Sequence, residues 1–178
     1  MEPDVKRLFI ITFALALTAC NLPKPHPPTP EMPGNLSTEC AFVEARQALP
    51  ELSTQFLNSL KEAALPVETA RAEAYGENCL AVDNTVVRFA ARETDFYVTL
   101  NVDNLSDETA LGSHLDKILD IIDKVPLAQT GPPPGYIGVT FKAGNQLQNL
   151  WFTQARANEL RAQGLKGADL YRALKNKS

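Results

Sequence analysis

The acidic residues Glu73, Glu93 and Asp95 are the groups of this sequence best suited to hydrolase or transferase chemistry. Two carboxyl groups can act as general acid and general base when they share a cleft and one has a raised pKa. The stretch from Arg92 to Asp95 is also predicted to be a hairpin tip, where its two end residues would form an exposed ion pair worth under about 1 kcal/mol. The sequence favours that solvated turn, and therefore a protein without covalent chemistry.

Other reactive groups are few. His26 falls in a proline-rich stretch, and His114 lies beside the apolar stripe of a predicted helix, where a lone histidine is more often a boundary residue than a ligand. No further ligands occur at a spacing that suits zinc, and the sequence lacks GxSxG, HExxH and a phosphate-binding glycine loop. The sequence therefore predicts no metal and no cofactor.

A binding site is predicted on the open face of a sheet. In the hairpin expected around Gly144-Asn145, Trp151 lies opposite Gly138 on the face away from the core. The predicted binding face comprises Trp151, Tyr97, Arg88, Asn101, Asn149 and Thr140. Aromatic and amide groups on such a face suit a glycan, a peptide or an envelope protein as ligand. The alternative is that the C-terminal helix covers this face, or that the indole packs on the glycine as structural filler.

The start of the chain has the layout of a secretory signal. Lys6 and Arg7 precede an apolar run, residues 8–17, that is too short to span a bilayer. Leu17-Thr18-Ala19-Cys20 resembles the lipobox of bacterial lipoproteins. The resemblance implies that residues 1–19 are a signal peptide cleaved before Cys20, whose thiol receives a diacylglycerol. It also implies a bacterial envelope protein anchored in the membrane by that lipid and facing the extracytoplasmic side. The alternative is an ordinary secretory signal with a chance cysteine.

The lipoprotein resemblance also implies how the rest of the chain is divided into segments. Residues 20–35 would be the lipidated cysteine and a proline-rich, extended linker, and residues 36–178 the globular domain. With Cys20 lipidated in an oxidising compartment, Cys40 and Cys79 are expected to form a disulfide bond; two free buried thiols are the alternative.

The charge of the chain excludes one class of partner. The net charge of −4 argues against a nucleic-acid-binding protein, which normally carries a basic excess. Residues 154–178 are locally basic, which indicates a solvated helix face. Attraction of that basic segment to an anionic membrane is the alternative.

Hydrophobic periodicity predicts an α+β fold. We expect a single antiparallel sheet of about five strands, with two main helices packed on one face and a C-terminal helix. The helices are predicted over residues 38–64 with a break near Pro50, from a cap at Ser106 to Pro126, and over residues 154–176 with an interruption at 164–167. An αββ unit used twice is the alternative topology.

The strands are predicted from alternation of apolar and polar residues. One strand begins at Val67, and a tight turn follows at Asp83-Asn84. Two hairpins follow, one over residues 87–100 with its loop at Glu93-Thr94 or from Arg92 to Asp95, and one over residues 136–153. Together these features predict a lipid-anchored module that binds a ligand or supports envelope assembly. An envelope hydrolase or transferase, and a purely structural lipoprotein, are the other hypotheses.

Overall fold

The computed structural model describes residues 40–126 and 132–175. The predicted signal peptide, Cys20, the predicted proline-rich linker and His26 lie outside the described residues. Among the residues that are described, no helix combines the length and the apolar character needed to cross a membrane.

The domain has an α+β fold with one mixed sheet and four helices. The strands are β1 (Ala41–Ala48), β2 (Val67–Leu80), β3 (Val86–Asn101), β4 (Pro134–Ala143) and β5 (Gln146–Thr153). The helices are α1 (Pro50–Glu62), α2 (Glu108–Ile122), α3 (Gln154–Ala162) and α4 (Gly167–Lys175). The five strands lie side by side in sequence order, β1-β2-β3-β4-β5.

The sheet is mixed, so the prediction of a purely antiparallel sheet is wrong in one pairing. β3 and β4 run parallel, while the other three neighbouring pairs are antiparallel. Parallel neighbours need a crossover connection, and the segment that contains α2 supplies it. The prediction failed here because it placed a hairpin within residues 87–100, which would have reversed the chain direction before α2.

The predicted hairpin over residues 87–100 is instead one continuous strand. Thr94 and Asp95, expected in its loop, have exposed fractions of 0%. The stretch around them contains no glycine, proline or asparagine, and Asp95 is not followed by the glycine that a two-residue hairpin turn favours. The chain turns at Asp83-Asn84 as predicted, where Asn84 adopts a positive φ of 65° and Asp83 accepts hydrogen bonds from Thr85.

Residues 41–48 form a strand, which corrects the prediction that a helix starts near residue 38. The evidence for a helix came from the spacing of Leu52, Phe56 and Leu60, which are buried on α1. α1 starts at Pro50, which is preorganised for the first turn of a helix. Upstream of it, pairing with β2 determines the structure of residues 41–48.

The disulfide bond predicted between Cys40 and Cys79 is confirmed. The two Cα atoms are 5.0 Å apart, within the usual range for a disulfide. Cys40 immediately precedes β1, and Cys79 lies near the end of β2. The two cysteines come close because β1 and β2 pair in a register that places Phe42 opposite Cys79. The bond closes a loop with a sequence separation of 39 residues.

One hydrophobic core contains buried residues from the four helices and from strands β2 to β5. Phe96, Val98 and Leu100 of β3 alternate with polar residues, and each is buried. The ring of Phe56 on α1 meets Phe96 edge-on, with centroids 5.1 Å apart. The other core side chains include Leu111, Leu115, Ile118 and Ile122 of α2, Ile137, Val139 and Phe141 of β4, and Tyr171 of α4.

The remaining predicted elements agree with the structure except at the two ends of α2, whose last residue is Ile122 although the prediction extended the helix to Pro126. The β4–β5 hairpin turns at Gly144-Asn145, and the C-terminal helix is interrupted between α3 and α4. The N-cap of α2 is Asp107 rather than Ser106, since the Asp107 carboxylate accepts a hydrogen bond from the Ala110 N–H at 3.0 Å. α2 and α4 approach closely, because a Cβ on Gly112 would overlap the backbone of Gly167.

Candidate functional site

An aromatic row lies on the sheet face opposite the core. The term aromatic row is used here for Tyr97 on β3, Tyr136 on β4 and Trp151 on β5. The ring centroids of Trp151 and Tyr136 are 5.5 Å apart with planes 20° apart, and those of Trp151 and Tyr97 are 5.4 Å apart with planes 38° apart. Trp151 is 43% exposed and Tyr136 is 37% exposed. The row therefore presents a partly stacked aromatic surface to solvent.

Gly138 makes room for the indole ring. It lies between Tyr97 and Trp151 in the sheet register, opposite both. A Cβ at Gly138 would lie 2.9 Å from Cζ3 of Trp151 and 3.0 Å from Cδ1 of Tyr97. Any side chain at this position would therefore displace the rings, and the glycine allows the indole to lie against the strand.

Polar side chains surround the aromatic row. The Thr140 hydroxyl donates a hydrogen bond to Oδ1 of Asn149 at 2.9 Å. The Arg71 guanidinium lies over the Tyr97 ring, 4.2 Å from its centroid, which is a favourable cation–π geometry. These groups line an open groove of about 610 Å³, a size typical of small-molecule sites. The groove is lined by Thr69, Ala70, Arg71, Tyr97, Val98, Thr99, Gly138, Val139, Thr140, Asn149, Leu150 and Trp151.

A buried carboxylate on this face, that of Asp95, is hydrogen-bonded to residues of two other strands. Asp95 accepts a hydrogen bond from Nη1 of Arg46 at 2.5 Å and one from the Tyr136 N–H at 2.9 Å. Nη1 of Arg46 also lies 2.8 Å from the Tyr97 hydroxyl oxygen. Asp95 thereby links β1, β3 and β4 and positions two rings of the aromatic row. The predicted Arg92–Asp95 pair does not form, and Arg92 instead pairs with Glu77 at 2.8 Å.

The buried carboxylate also changes the titration of its neighbours. Its hydrogen bond to Arg46 raises the pKa of that guanidinium. Burial raises the pKa of the Tyr97 hydroxyl, and the nearby charge of Asp95 adds to the shift. Burial likewise raises the pKa of Glu93, with a further contribution from Asp95. The face therefore holds one fully buried acid in an ion pair and one acid whose ionisation is disfavoured.

The three acids considered for catalysis meet on this face. Glu73 lies opposite Asp95 in the β2–β3 register, and one of its oxygens is 3.9 Å from Nη1 of Arg46. Glu93 lines a second groove, which also contains Arg46, Tyr136 and Trp151. Asp95 is closed to a substrate because its exposed fraction is 0%.

Four of the six predicted binding-face residues come together. Trp151, Tyr97, Thr140 and Asn149 line the same groove. Asn101 is exposed at the end of β3, opposite Lys142 on β4.

Arg88 lies apart from these residues. Because β3 is one strand, Arg88 is nine positions from Tyr97, which corresponds to about 30 Å along the strand. It lies opposite Cys79 and stacks over the Phe42 ring at 6.0 Å. The hairpin predicted over residues 87–100 had placed it on the binding face.

Three residues of the site were missed by the sequence-based prediction. Tyr136 shares its face with Gly138 and Thr140, so the alternation of β4 contained the signal that identifies it. Arg71 could have been included once β2 was paired with β3. Arg46 had no such signal, because its segment was assigned to a helix.

The described residues provide no evident metal centre. No group of three or more histidine, cysteine or acidic side chains among them is arranged to hold a metal ion. His114 is half-buried on α2, where burial lowers its pKa, so the neutral imidazole is favoured. This position agrees with the interpretation of His114 as a boundary residue.

Fold and site together define an α+β domain whose mixed sheet carries an aromatic row on its outer face. No family model matches the chain, and neither a curated protein nor a solved structure is significantly similar to it.

Proposed function

We propose that this chain is a bacterial lipoprotein whose domain binds a glycan on the aromatic row outside the cytoplasm. Cys20 would carry the lipid that anchors it in an envelope membrane, and the proline-rich linker would separate the domain from that membrane. The observation that carries the proposal is the exposed, stacked pair of Trp151 and Tyr136 rings, which adjoins Tyr97 and a groove lined by hydroxyl and amide groups.

The anchoring part of the proposal is supported by the lipobox-like residues that precede Cys20. One acyl chain holds a protein only marginally, whereas two or more give stable attachment. Mass spectrometry of the protein from its bacterial host tests this part directly. We expect a mature chain that begins at Cys20 and carries the mass of the acyl groups. A free thiol at Cys20, or a chain that retains residues 1–19, would contradict it.

The binding part requires that one face of the sheet remain open. We propose that the helices form a single layer on the core face, which leaves the aromatic row to a ligand. Support comes from the core cluster, which combines residues of all four helices with the inward residues of β2 to β5. The exposure of Trp151 supports the open face over the alternative that the C-terminal helix covers the indole.

A glycan suits this surface better than an extended peptide. Sugar rings have flat faces of C–H groups that stack on aromatic rings, and their hydroxyls need donors and acceptors at the edge of the stack. Trp151 and Tyr136 offer the rings, and Thr140, Asn149 and Arg71 offer the polar groups. Extended peptides bind commonly by adding a strand to a sheet edge. The aromatic row instead lies across the face of the neighbouring strands β3, β4 and β5, and only its Trp151 end is on the edge strand β5.

Isothermal titration calorimetry with tri-N-acetylchitotriose tests the binding of a glycan. Trp151→Ala should weaken binding at least about tenfold, which corresponds to a loss of about 1.4 kcal/mol. Phe42→Ala is the matched control, because Phe42 is also an exposed aromatic residue but lies on β1, away from the groove. Equal losses in both variants would contradict the site. The absence of saturable binding to this probe and to soluble peptidoglycan fragments would contradict the proposed ligand class.

A carboxylate-dependent envelope hydrolase or transferase is the second candidate function. Glu93 favours it, because this side chain lines a groove beside Trp151 and its pKa is raised by burial. The complete burial of Asp95 weighs against it, since the second acid of a catalytic pair must reach the substrate. Release of reducing ends from peptidoglycan by the wild type, and its loss in Glu93→Gln, would favour the enzyme.

A further inference from the structure

β1 is an edge strand of the sheet. It pairs with β2 on one side, and in the described part of the chain no strand lies on its other side. An edge strand of 8 residues presents a row of backbone N–H and C=O groups that can pair with another strand. Every residue of β1 is exposed except Ala45, which is half-buried.

The surface around this edge is unusually apolar. β1 and the far halves of β2 and β3 form a ribbon, defined here as residues 41–45, 76–80 and 86–91, and every residue of the core cluster lies outside it. Eight large apolar side chains of the described residues are exposed, and five of them lie in the ribbon or its turn: Phe42, Val43, Val82, Val86 and Val87. Clusters of exposed apolar residues mark interaction surfaces.

We propose that β1 is a homodimer interface, in which the β1 strands of two copies pair antiparallel across a two-fold axis. The partner is a second copy because the β1 sequence is complementary to itself. With Ala45 on the axis, Glu44 of each copy lies opposite Arg46 of the other, so two opposite-charge pairs form. The next register along, centred on Glu44, would place the two glutamates directly opposite each other, which is unfavourable.

The two-fold axis restricts the registers that need to be compared. It stands perpendicular to the sheet, so the core faces of both copies lie on the same side and opposing residues share a face. Registers centred on a residue meet this condition, whereas registers centred between two residues would oppose the two faces. The register centred on Ala45 uses residues 42–48 of each β1, almost its whole length.

Arg46 can take part in this pairing while it holds Asp95. Its bonds to Asp95 and Tyr97 use Nη1 alone, and a guanidinium has five N–H donors. The Arg46 side chain remains 44% exposed. The same pairing places Phe42 opposite Ala48 of the second copy and Val43 opposite Gln47, so both exposed apolar residues gain cover.

Cysteine substitutions in the mature chain test the register. All of these variants also carry Cys20→Ser. Their remaining native cysteines, Cys40 and Cys79, are then joined in the disulfide bond. Ala45→Cys should form an intermolecular disulfide under mild oxidation, because directly opposed Cβ atoms are about 5 Å apart. Gln47→Cys is the control, since its two copies would lie about 13 Å apart. Val43→Cys combined with Gln47→Cys should cross-link again, since these positions are opposite. Equal cross-linking of Ala45→Cys and Gln47→Cys would overturn the proposal.

Sedimentation equilibrium tests the association without new thiols. The mature chain with Cys20→Ser, which carries no lipid and serves here as the wild-type reference, should sediment as a dimer. Glu44→Lys in that chain should weaken the dimer at least about tenfold by placing lysine opposite Arg46. Glu51→Lys makes the same charge change at an exposed position of α1 and should leave the dimer intact. A monomeric wild type at concentrations up to about 0.5 mM would overturn the proposal, a limit that corresponds to an association weaker than about 4.5 kcal/mol.

Discussion

The indole of Trp151 lies against Gly138, at a distance that leaves no room for a methyl group. A Cβ at Gly138 would be 2.9 Å from Cζ3 of the indole. Gly138→Ala should therefore displace Trp151 and cost about 1–3 kcal/mol of stability, as overpacking does elsewhere. Because Trp151 is the only tryptophan, its emission spectrum reports the displacement directly.

Gly135→Ala is the control for the displacement of Trp151. Gly135 lies on the same strand, but the atoms that its Cβ would meet belong to the Glu93 side chain, which can move. The emission spectrum of Gly135→Ala should change less than that of Gly138→Ala, because its Cβ displaces Glu93 rather than the indole itself. An unchanged spectrum in Gly138→Ala would show that the glycine does not position the indole.

The Arg46–Asp95 pair should contribute more to stability than any exposed pair of the domain. Arg46→Ala would leave the buried Asp95 carboxylate without its charged partner, and we expect a loss of about 3 kcal/mol in the free energy of unfolding. Arg92→Ala, which breaks the more exposed pair with Glu77, should cost under about 1 kcal/mol. Urea denaturation of both variants measures the difference. Equal losses would mean that burial of Asp95 does not strengthen the contribution of its partner.

The titration of Glu93 should be visible in the pH dependence of stability. Burial raises the pKa of Glu93 in the folded state above its value in the unfolded chain, so ionisation of this side chain opposes folding. Glu93→Gln should therefore raise the Tm at neutral pH. The gain should shrink as the pH falls through the raised folded-state pKa and vanish below about pH 4, where the glutamate is protonated in both states.

Asp103→Asn is the matched control for that titration. It removes one negative charge from an exposed position between β3 and α2. Differential scanning calorimetry of both variants from pH 4 to pH 8 should show the pH-dependent gain for Glu93→Gln alone. A gain for Glu93→Gln that is constant across this range would contradict the assignment.

The Cys40–Cys79 disulfide should stabilise the whole domain. Its sequence separation of 39 residues corresponds to about 4 kcal/mol in the chain-entropy model. Replacement of both cysteines by alanine should lower the free energy of unfolding by about that amount, measured in guanidinium chloride. A loss below about 1 kcal/mol would indicate that the unfolded chain keeps β1 and β2 close without the bond.

Local sequence signals predicted the elements that are marked by a favoured turn or by a regular apolar stripe. The β4–β5 hairpin could be placed because Gly144-Asn145 is a favoured turn and alternation fixes the register on each side. The apolar stripe predicted for α2 comprises Leu111, Leu115, Ile118, Ile122 and Val125. The first four are buried on α2, whereas Val125 lies beyond the end of the helix and is partly buried. The disulfide partners were found from the lipoprotein context.

The structures of β1 and of the middle of β3 depend on pairing with strands that are distant in sequence, and they could not be predicted. A charged stretch such as Arg92 to Asp95 resembles a solvated turn until Arg46 is known to reach it. Arg46 could not be found from the sequence, because residues 41–48 contain no pattern that separates strand from helix before β2 is paired with them. The predicted hairpin moved Arg88 onto the binding face, and the helix predicted over residues 41–48 left Arg46 out of the site.

An NMR titration that follows the single indole tests the proposed glycan site most directly. The 15N-labelled mature chain should show one indole N–H resonance, from Trp151, since the sequence contains one tryptophan. Addition of tri-N-acetylchitotriose should shift that resonance saturably, together with the backbone resonances of Tyr97, Tyr136 and Thr140, while the resonances of the ribbon stay in place. An indole resonance that does not move, or shifts confined to the ribbon, would contradict a glycan site on the aromatic row.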